Sequence, residues 1–246
     1  MNVLTDEELN YIRKAGKILR GCLDFLSFEI KPGVCTKKLD ALASDFIVKN
    51  NAKPAFRGYK GFPASICTSL NDVVVHGIPS NTEIAKEGDI ISVDVGVAYK
   101  GCFADGAETF AVGAISQAAR RLIEITKEAL KKGVAMAGEG RHVEDISWAI
   151  QSFVETNNFT VVRMFVGHGI GRKMHQEPEV PNFGHPGKGA LLKNGIALAI
   201  EPMVNEGSAD VKILEDGWTA VTKDHKLSAH FEHTVIVGER DGEIIT

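Results

Sequence analysis

The sequence predicts an α+β fold built from two related halves. Three observations predict it. Two pairs of amphipathic segments carry helical periodicity, short β-branched runs lie between and after them, and one half echoes the other at a spacing of 107 residues.

The first helix is expected from Thr5 to about Glu29. It carries Leu9, Ile12, Ile18, Leu19 and Leu23 at helical spacing, with Thr5 or Asp6 placed to cap it. Lys31-Pro32-Gly33 ends it, and a second helix runs from Thr36 to about Asn50 with Leu39, Leu42, Phe46 and Ile47 on one face. The third is expected from Ser116 to about Ala135, stopped near Gly138-Glu139-Gly140, and the fourth from about Val143 to Asn157. Runs rich in Ile and Val predict strands at Asp89–Gly96 and Phe103–Val112. Others are expected at Thr160–Val166, Ala197–Glu201, Val211–Leu214, Trp218–Thr222 and Phe231–Val237. A curved mixed sheet covered by two helix pairs follows.

At the offset of 107, Leu39 falls on Ile146, Phe46 on Phe153, Ile47 on Val154, and Asn50-Asn51 on Asn157-Asn158. Gly88 then falls on Gly195, Ile91 on Leu198, Val93 on Ile200 and Asp94 on Glu201. Val75-His76-Gly77-Ile78 echoes Gly167-His168-Gly169-Ile170 at a shorter offset of 92. Two halves facing each other across a pseudo-twofold axis would bring Asp94 and Glu201 into one central site. No linker rich in Pro, Gly or Ser divides the chain, so one domain over 1–246 is expected, with halves of roughly 1–113 and 114–246.

Composition narrows the function classes. Hydrophobic residues make up 44% of the 246 positions, enough for a sizeable core, and charged residues 24%. A net charge of −4 gives no case for nucleic-acid binding, whose footprint is a basic patch. No apolar run approaches the ~18 residues of a membrane span, and the N-terminus lacks a basic start with an apolar stretch behind it. Cys22, Cys35, Cys67 and Cys102 are scattered without a C-x-x-C pair. They fit reduced thiols, and a cytoplasmic location is expected.

The chemistry is announced by acids in the wrong surroundings. Asp94 lies inside Ile90-Ile91-Ser92-Val93-Asp94-Val95-Gly96, and Asp105 follows eleven residues later, a hairpin away. Ala199-Ile200-Glu201-Pro202 and His230-Phe231-Glu232-His233-Thr234 repeat the anomaly. A buried carboxylate without a partner is costly. One such acid is readily a salt bridge or a cap. Four of them, with His168 in a Gly-rich turn, point to a pair of divalent cations whose charge offsets theirs. The oxygen-rich donor set suits Mn²⁺, Fe²⁺ or Co²⁺ as well as Zn²⁺, unlike the thiolate set of a structural zinc. No H-E-x-x-H occurs.

The segments Val74-Val75-His76-Gly77-Ile78-Pro79, Ser92-Val93-Asp94-Val95-Gly96, Val166-Gly167-His168-Gly169-Ile170-Gly171, Ile200-Glu201-Pro202-Met203 and Phe231-Glu232-His233-Thr234 resemble the signatures of methionine aminopeptidases, in the family's order and across nearly the whole chain. The resemblance implies the pseudo-symmetric pita-bread (creatinase/aminopeptidase) fold and removal of the initiator methionine from nascent chains with a small second residue. It implies two divalent ions, Co, Mn, Fe, Zn or Ni, with a hydroxide held between them as nucleophile. Asp94 would ligate one ion, Asp105 and Glu232 would bridge both, and His168 and Glu201 would complete the other. Glu201 would also serve as general base. His76 and His175 would contact substrate and stabilise the transition state. Tyr59, Phe62, Cys67 and Trp218 would line a methionine pocket, whose aromatic walls suit a thioether. Asn71, Val73 and Ser228 match a monovalent-cation site of some relatives.

The chain departs from the family pattern beside the site. Phe56 stands where some relatives carry cysteine, Met174 where some carry phenylalanine, and His230 where many carry glutamine. Only 31 positions separate Glu201 from Glu232, which leaves no room for the helical insertion of type II enzymes. The first helix is expected to begin by residue 6, so neither the large preceding domain of prolidase and aminopeptidase P nor the zinc-binding extension of eukaryotic type I enzymes is expected. A compact, bacterial-type, type I enzyme is therefore expected, monomeric and working on nascent chains near the ribosome. A metal-free scaffold of the same fold would have no need of all five ligands together. Asn2 is larger than the second residues such enzymes favour, so Met1 is expected to be retained.

Overall fold

The computed structural model describes residues 3–246; the expectation about Met1 and Asn2 lies outside them. Helix α1 spans Asp6–Glu29 and begins at a capping box, in which Glu8 N–H donates to Thr5 Oγ1 at 3.3 Å and Thr5 N–H to Glu8 Oε2 at 2.8 Å. Its buried stripe includes Ile12, Ala15, Leu19, Leu23 and Leu26. Helix α2 follows at Thr36–Lys49, after a turn whose Gly33 has φ +91°. Helix α3 spans Gln117–Val134, capped by Ser116, and α4 spans Val143–Thr156.

The strands, in chain order, are β1 (Lys53–Pro54), β2 (Ile66–Leu70), β3 (Val73–Val75), β4 (Ile90–Tyr99) and β5 (Cys102–Ala111) in the first half. The second half adds β6 (Thr160–Val161), β7 (Gly167–Ile170), β8 (Gln176–Val180), β9 (Ala197–Ile200) and β10 (Met203–Asn205). It ends with β11 (Val211–Ile213), β12 (Ala220–Thr222), β13 (Ser228–His230), β14 (His233–Val237) and β15 (Gly242–Ile244). The long hairpin β4–β5 pairs with β1 and β2, and β15-β14-β9-β7-β8 form the largest sheet. Helices α1 and α2 bury their apolar faces with the first-half strands, and α3 and α4 do the same with the second. The α+β architecture with two helix pairs is as expected. The sheets are less mixed than expected. Every ladder among the described residues is antiparallel, and parallel pairing is confined to the bridge between Gly138 and Gly238. Tight turns such as Lys100-Gly101 reverse the chain between neighbours and so enforce antiparallel order.

Several backbone bonds of the first half recur in the second. Gly33 N–H donates to Ala85 O and Ala85 N–H to Val34 O; 107 residues on, Gly140 donates to Leu192 O and Leu192 to Arg141 O. Cys35 bridges Ile84 as His142 bridges Leu191. The Asn50 side chain closes on Phe46 O at 2.9 Å, and Asn157 on Phe153 O at 2.8 Å. Asn51 and Asn158 then leave their helices at φ +59° and +63°. Beyond the central hairpin the offset grows. Val112 N–H donates to Asp89 O, and Val237 N–H to Ile196 O.

Five expected strands are shorter or broken: Val211–Leu214 ends at Ile213, and Trp218–Thr222 begins only at Ala220. Of Thr160–Val166 only Thr160–Val161 lies in a ladder, against β10; the chain bends at Arg163–Met164, with Met164 57% exposed, because no neighbouring strand is there to pair with it. Ala197–Glu201 ends at Ile200, and Phe231–Val237 begins only at His233. At Glu201-Pro202 and Phe231-Glu232 the strands leave one sheet (β9 with β14) and enter another (β10 with β13). Both acids therefore sit at interruptions of the ladder, where a side chain is turned into the centre. Strands β2 and β3, absent from the expectation, flank a two-residue turn at Asn71-Asp72 with Asn71 at φ +51°. No helix among the described residues is long and apolar enough to cross a membrane.

Candidate metal centre and substrate pocket

The central hairpin supplies two acids. On β4, Asp94 pairs with Cys67 of β2 on one side; on β5, Asp105 pairs with Gly96. Gly96 carries no side chain for a packing reason, since a Cβ there would lie 2.5 Å from the ring of Phe56. His168 enters from β7, and Glu201 and Glu232 enter from the two sheet crossovers. Asp94, Asp105, His168, Glu201 and Glu232 all line one cavity, together with His76, His175, Tyr59, Phe62, Cys67 and Trp218. Every expected catalytic, metal-ligating and pocket residue thus faces the same space.

Donor atoms of Asp105, His168 and Glu232 lie within 4.8 Å of one another, as do those of Glu201, His230 and Glu232. His168 Nε2 is 3.5 Å from Glu201 Oε1 and 3.9 Å from Asp105 Oδ2. Its Nδ1 is 3.0 Å from the Gly169 carbonyl, which can only accept. The ring proton therefore sits on Nδ1, and Nε2 turns a lone pair toward the carboxylates, the arrangement of a metal-binding histidine. Burial holds this imidazole near a pKa of about 4, so it is neutral.

Burial and mutual repulsion disfavour the charged form of these acids. Burial raises Asp94 to about 7, and a hydrogen bond shared with Asp105 opposes the rise. Asp105, Glu201 and Glu232 are pushed well above the carboxylate range, first by burial and then by one another's charge. Asp94 Oδ1 and Glu232 Oε1 are buried with no hydrogen-bond partner. No Lys or Arg forms an ion pair with any of the four among the described residues. Orphaned carboxylate oxygens converging on a free imidazole nitrogen fit divalent cations, which would supply the missing positive charge.

The rest of the cavity is apolar and aromatic. Phe62 meets Trp218 edge-on at 5.1 Å and Phe56 at 6.5 Å. Cys67 stays a thiol because burial, then the charges of Asp94, Asp105 and Glu232, push its pKa well up. His76 adopts φ +60°, and Gly77 beside it allows β2 to pass; a Cβ there would lie 2.1 Å from Thr68 O. His175 Nδ1 lies 3.0 Å from Tyr59 Oη, with the two rings stacked. Burial, then His168 and Lys60, hold His175 at about 3, and burial lowers His76, so both are neutral hydrogen-bonding groups.

Lys60 and Phe165 also reach the site, and nothing in the sequence marks them. Lys60 sits at φ +48° in the Tyr59–Gly61 turn, and Phe165 packs on His76 at 5.3 Å from within an ordinary apolar run. Asn71 and Ser228 are neighbours, since Ser228 N–H donates to Asn71 O at 2.8 Å.

Residues 10–239 match metallopeptidase family M24. The chain is 53% identical over 247 residues to the methionine aminopeptidase of Clostridium perfringens, covering 100% of this chain and 99% of the relative. It is 48% identical to methionine aminopeptidase 1 of Bacillus subtilis, covering 98% and 97%. The crystal structure of methionine aminopeptidase from Thermotoga maritima superposes with a TM-score of 0.99 at 43% identity, covering 100% of this chain and 99% of that one. Prolidase from Pyrococcus furiosus shares the fold at a TM-score of 0.81 and 22% identity, with this chain spanning 65% of its length. A complete acid and imidazole cluster, a family match over most of the chain and relatives aligned end to end agree: the chain belongs to metallopeptidase family M24, among its methionine aminopeptidases.

Proposed function

We propose that the protein hydrolyses the N-terminal methionine from nascent proteins and peptides whose second residue is small, acting as one catalytic domain with two pseudo-symmetric halves. The observation that carries this reading is the convergence of four carboxylates, those of Asp105 and Glu232 buried, and the free Nε2 of His168 on a cavity with an aromatic wall.

Asp94, Asp105, His168, Glu201 and Glu232 would hold two divalent cations; Co, Mn, Fe, Zn and Ni suit this donor set. When bound, such cations polarise a carbonyl and make water a nucleophile near neutral pH. The chain's own residues do the rest. Phe62, Cys67 and Trp218 enclose a long unbranched side chain, and Tyr59 closes the pocket beside them. His76 and His175, neutral and within the cavity, donate hydrogen bonds to the peptide where charge develops. A carboxylate oxygen of Glu201 takes the proton of the attacking water and returns it to the leaving amine. Asn71, Val73 and Ser228 would hold a monovalent cation at the edge of β3 and β13. The protein would act as a cytoplasmic monomer near the ribosome.

The purified protein loaded with Mn²⁺ or Co²⁺ is expected to release methionine from Met-Ala-Ser and Met-Gly peptides and to spare those with a bulky second residue. Amino-acid release measured by chromatography tests this. Faster cleavage of X-Pro peptides in which X is not Met would place the protein with the prolidases instead.

A further inference from the structure

Strand β5 and the segment from His230 to Thr234 face each other without forming a regular ladder. At the centre they exchange two backbone bonds, Glu232 N–H to Ala107 O at 2.9 Å and Ala107 N–H to Glu232 O at 3.3 Å. On one side of that pair, Thr234 Oγ1 accepts from Asp105 N–H at 2.8 Å and donates to Asp105 O at 2.7 Å. On the other side, Thr109 Oγ1 accepts from His230 N–H at 2.9 Å and donates to His230 O at 2.8 Å. The two clamps are pseudo-symmetry mates. The spacing that carries Val112 onto Val237 carries Thr109 onto Thr234, and Asp105 onto His230. His230 therefore occupies in the second half the place that the ligand Asp105 occupies in the first, with its backbone held by the same device.

Its side chain behaves as a donor without a partner. The residue is 2% exposed, and Nε2 is buried with no hydrogen bond. The nearest acid, Glu201 Oε2, is 3.8 Å away, too far to accept one. Yet His230, Glu201 and Glu232 bring donor atoms within 4.8 Å of one another. Two donors each about 2.1 Å from a shared cation lie roughly 3–4 Å apart. A histidine kept for packing would have found a partner for a nitrogen so deeply enclosed.

We infer that His230 is a further protein ligand of the metal centre, coordinating through Nε2 the cation shared with Glu201 and Glu232. The inference rests on the metal-centre reading above. A second imidazole makes this site richer in nitrogen than the five expected ligands alone and shifts it toward Co²⁺, Ni²⁺ or Zn²⁺ over Mn²⁺.

Proton NMR of the Co²⁺-loaded protein tests it. Histidines bound to Co²⁺ give strongly shifted ring N–H signals, and buried ones exchange slowly. The full-length protein is expected to show two such exchangeable signals, from His168 and His230, and His230→Gln to lose one. In competition titrations followed by calorimetry, the preference for Co²⁺ over Mn²⁺ should fall at least about tenfold in His230→Gln. A single shifted signal in the wild-type protein overturns the assignment whether or not the variant folds, as does an unchanged metal preference. A protein that takes up no cation overturns the metal-centre reading as well, so the two failures are told apart.

Discussion

The two halves share a backbone and differ in what they hang on it. Hydrogen bonds around Gly33 and Ala85 recur around Gly140 and Leu192, and the capping of Asn50 recurs at Asn157. Their side chains have diverged. The first half supplies two of the four acids and most of the pocket wall: Tyr59, Phe62, Cys67 and His76. The second half instead contributes His168, His175, Glu201, Glu232 and one pocket aromatic, Trp218. Among the acids, Asp94 and Glu201 match across the halves, whereas Asp105 falls on His230 and Glu232 on Ala107. Across the seam between β5 and the His230–Thr234 segment the symmetry is kept by the paired threonine clamps.

The largest effect is expected from removing a charge at that seam. Glu232→Gln keeps size and loses the second half's central carboxylate. Activity should fall by at least about 100-fold and metal content should drop. Turnover near wild type in protein of measured metal content would break the assignment of equal roles to Asp105 and Glu232. A smaller effect should follow from the clamps. Thr234→Val and Thr109→Val each leave a buried backbone N–H and C=O unpaired, at a cost of about 2–4 kcal/mol. Serine at either position should recover most of it. Urea unfolding of the four variants compares the halves directly, and a cost at only one of the two threonines would show that the symmetry is geometric without being energetic.

The smallest effect belongs to the tie between the halves at the surface. Arg172, just past β7, binds Glu8 in the first turn of α1, with Nη2 to Oε2 at 2.6 Å. The Arg172 bond first, and the Thr5 backbone second, lower the Glu8 carboxyl from 4.5 to about 2. A carboxyl depressed in the fold stabilises it above its unfolded pKa, and that contribution fades as pH falls from 4.5 toward 2. Glu8→Gln should therefore lose less stability than wild type between pH 5 and pH 2.5, by under about 1 kcal/mol for so exposed a pair. Equal acid sensitivity in denaturant titrations would remove the tie from the comparison.

The helices were legible because periodicity and caps are local. Thr5 and Ser116 cap where they stand in the sequence, and all four helix boundaries fall within a residue or two of expectation. The acids were legible because a carboxylate inside a run such as Ile90–Gly96 has no cheap burial. Strand ends were not. Glu201 and Glu232 interrupt strands whose composition runs straight through them, and Val162–Val166 reads as a strand that lacks a neighbour. Lys60 and Phe165 were invisible, since nothing about a lysine in a glycine-rich turn or a phenylalanine in an apolar run marks the cavity it will reach.

The sequence by itself determined the helix pairs, the repeat and the identity of the acids, because each is written in spacing or in a clash between residue and surroundings. Only the tertiary structure decided which atoms share a space. The free Nε2 of His168, the orphaned nitrogen of His230 and the paired threonine clamps depend on strands far apart in the chain, from Asp105 to Thr234. Hydrogen bonds of that kind depend on distances that fold closure sets, and no local pattern of residues encodes them.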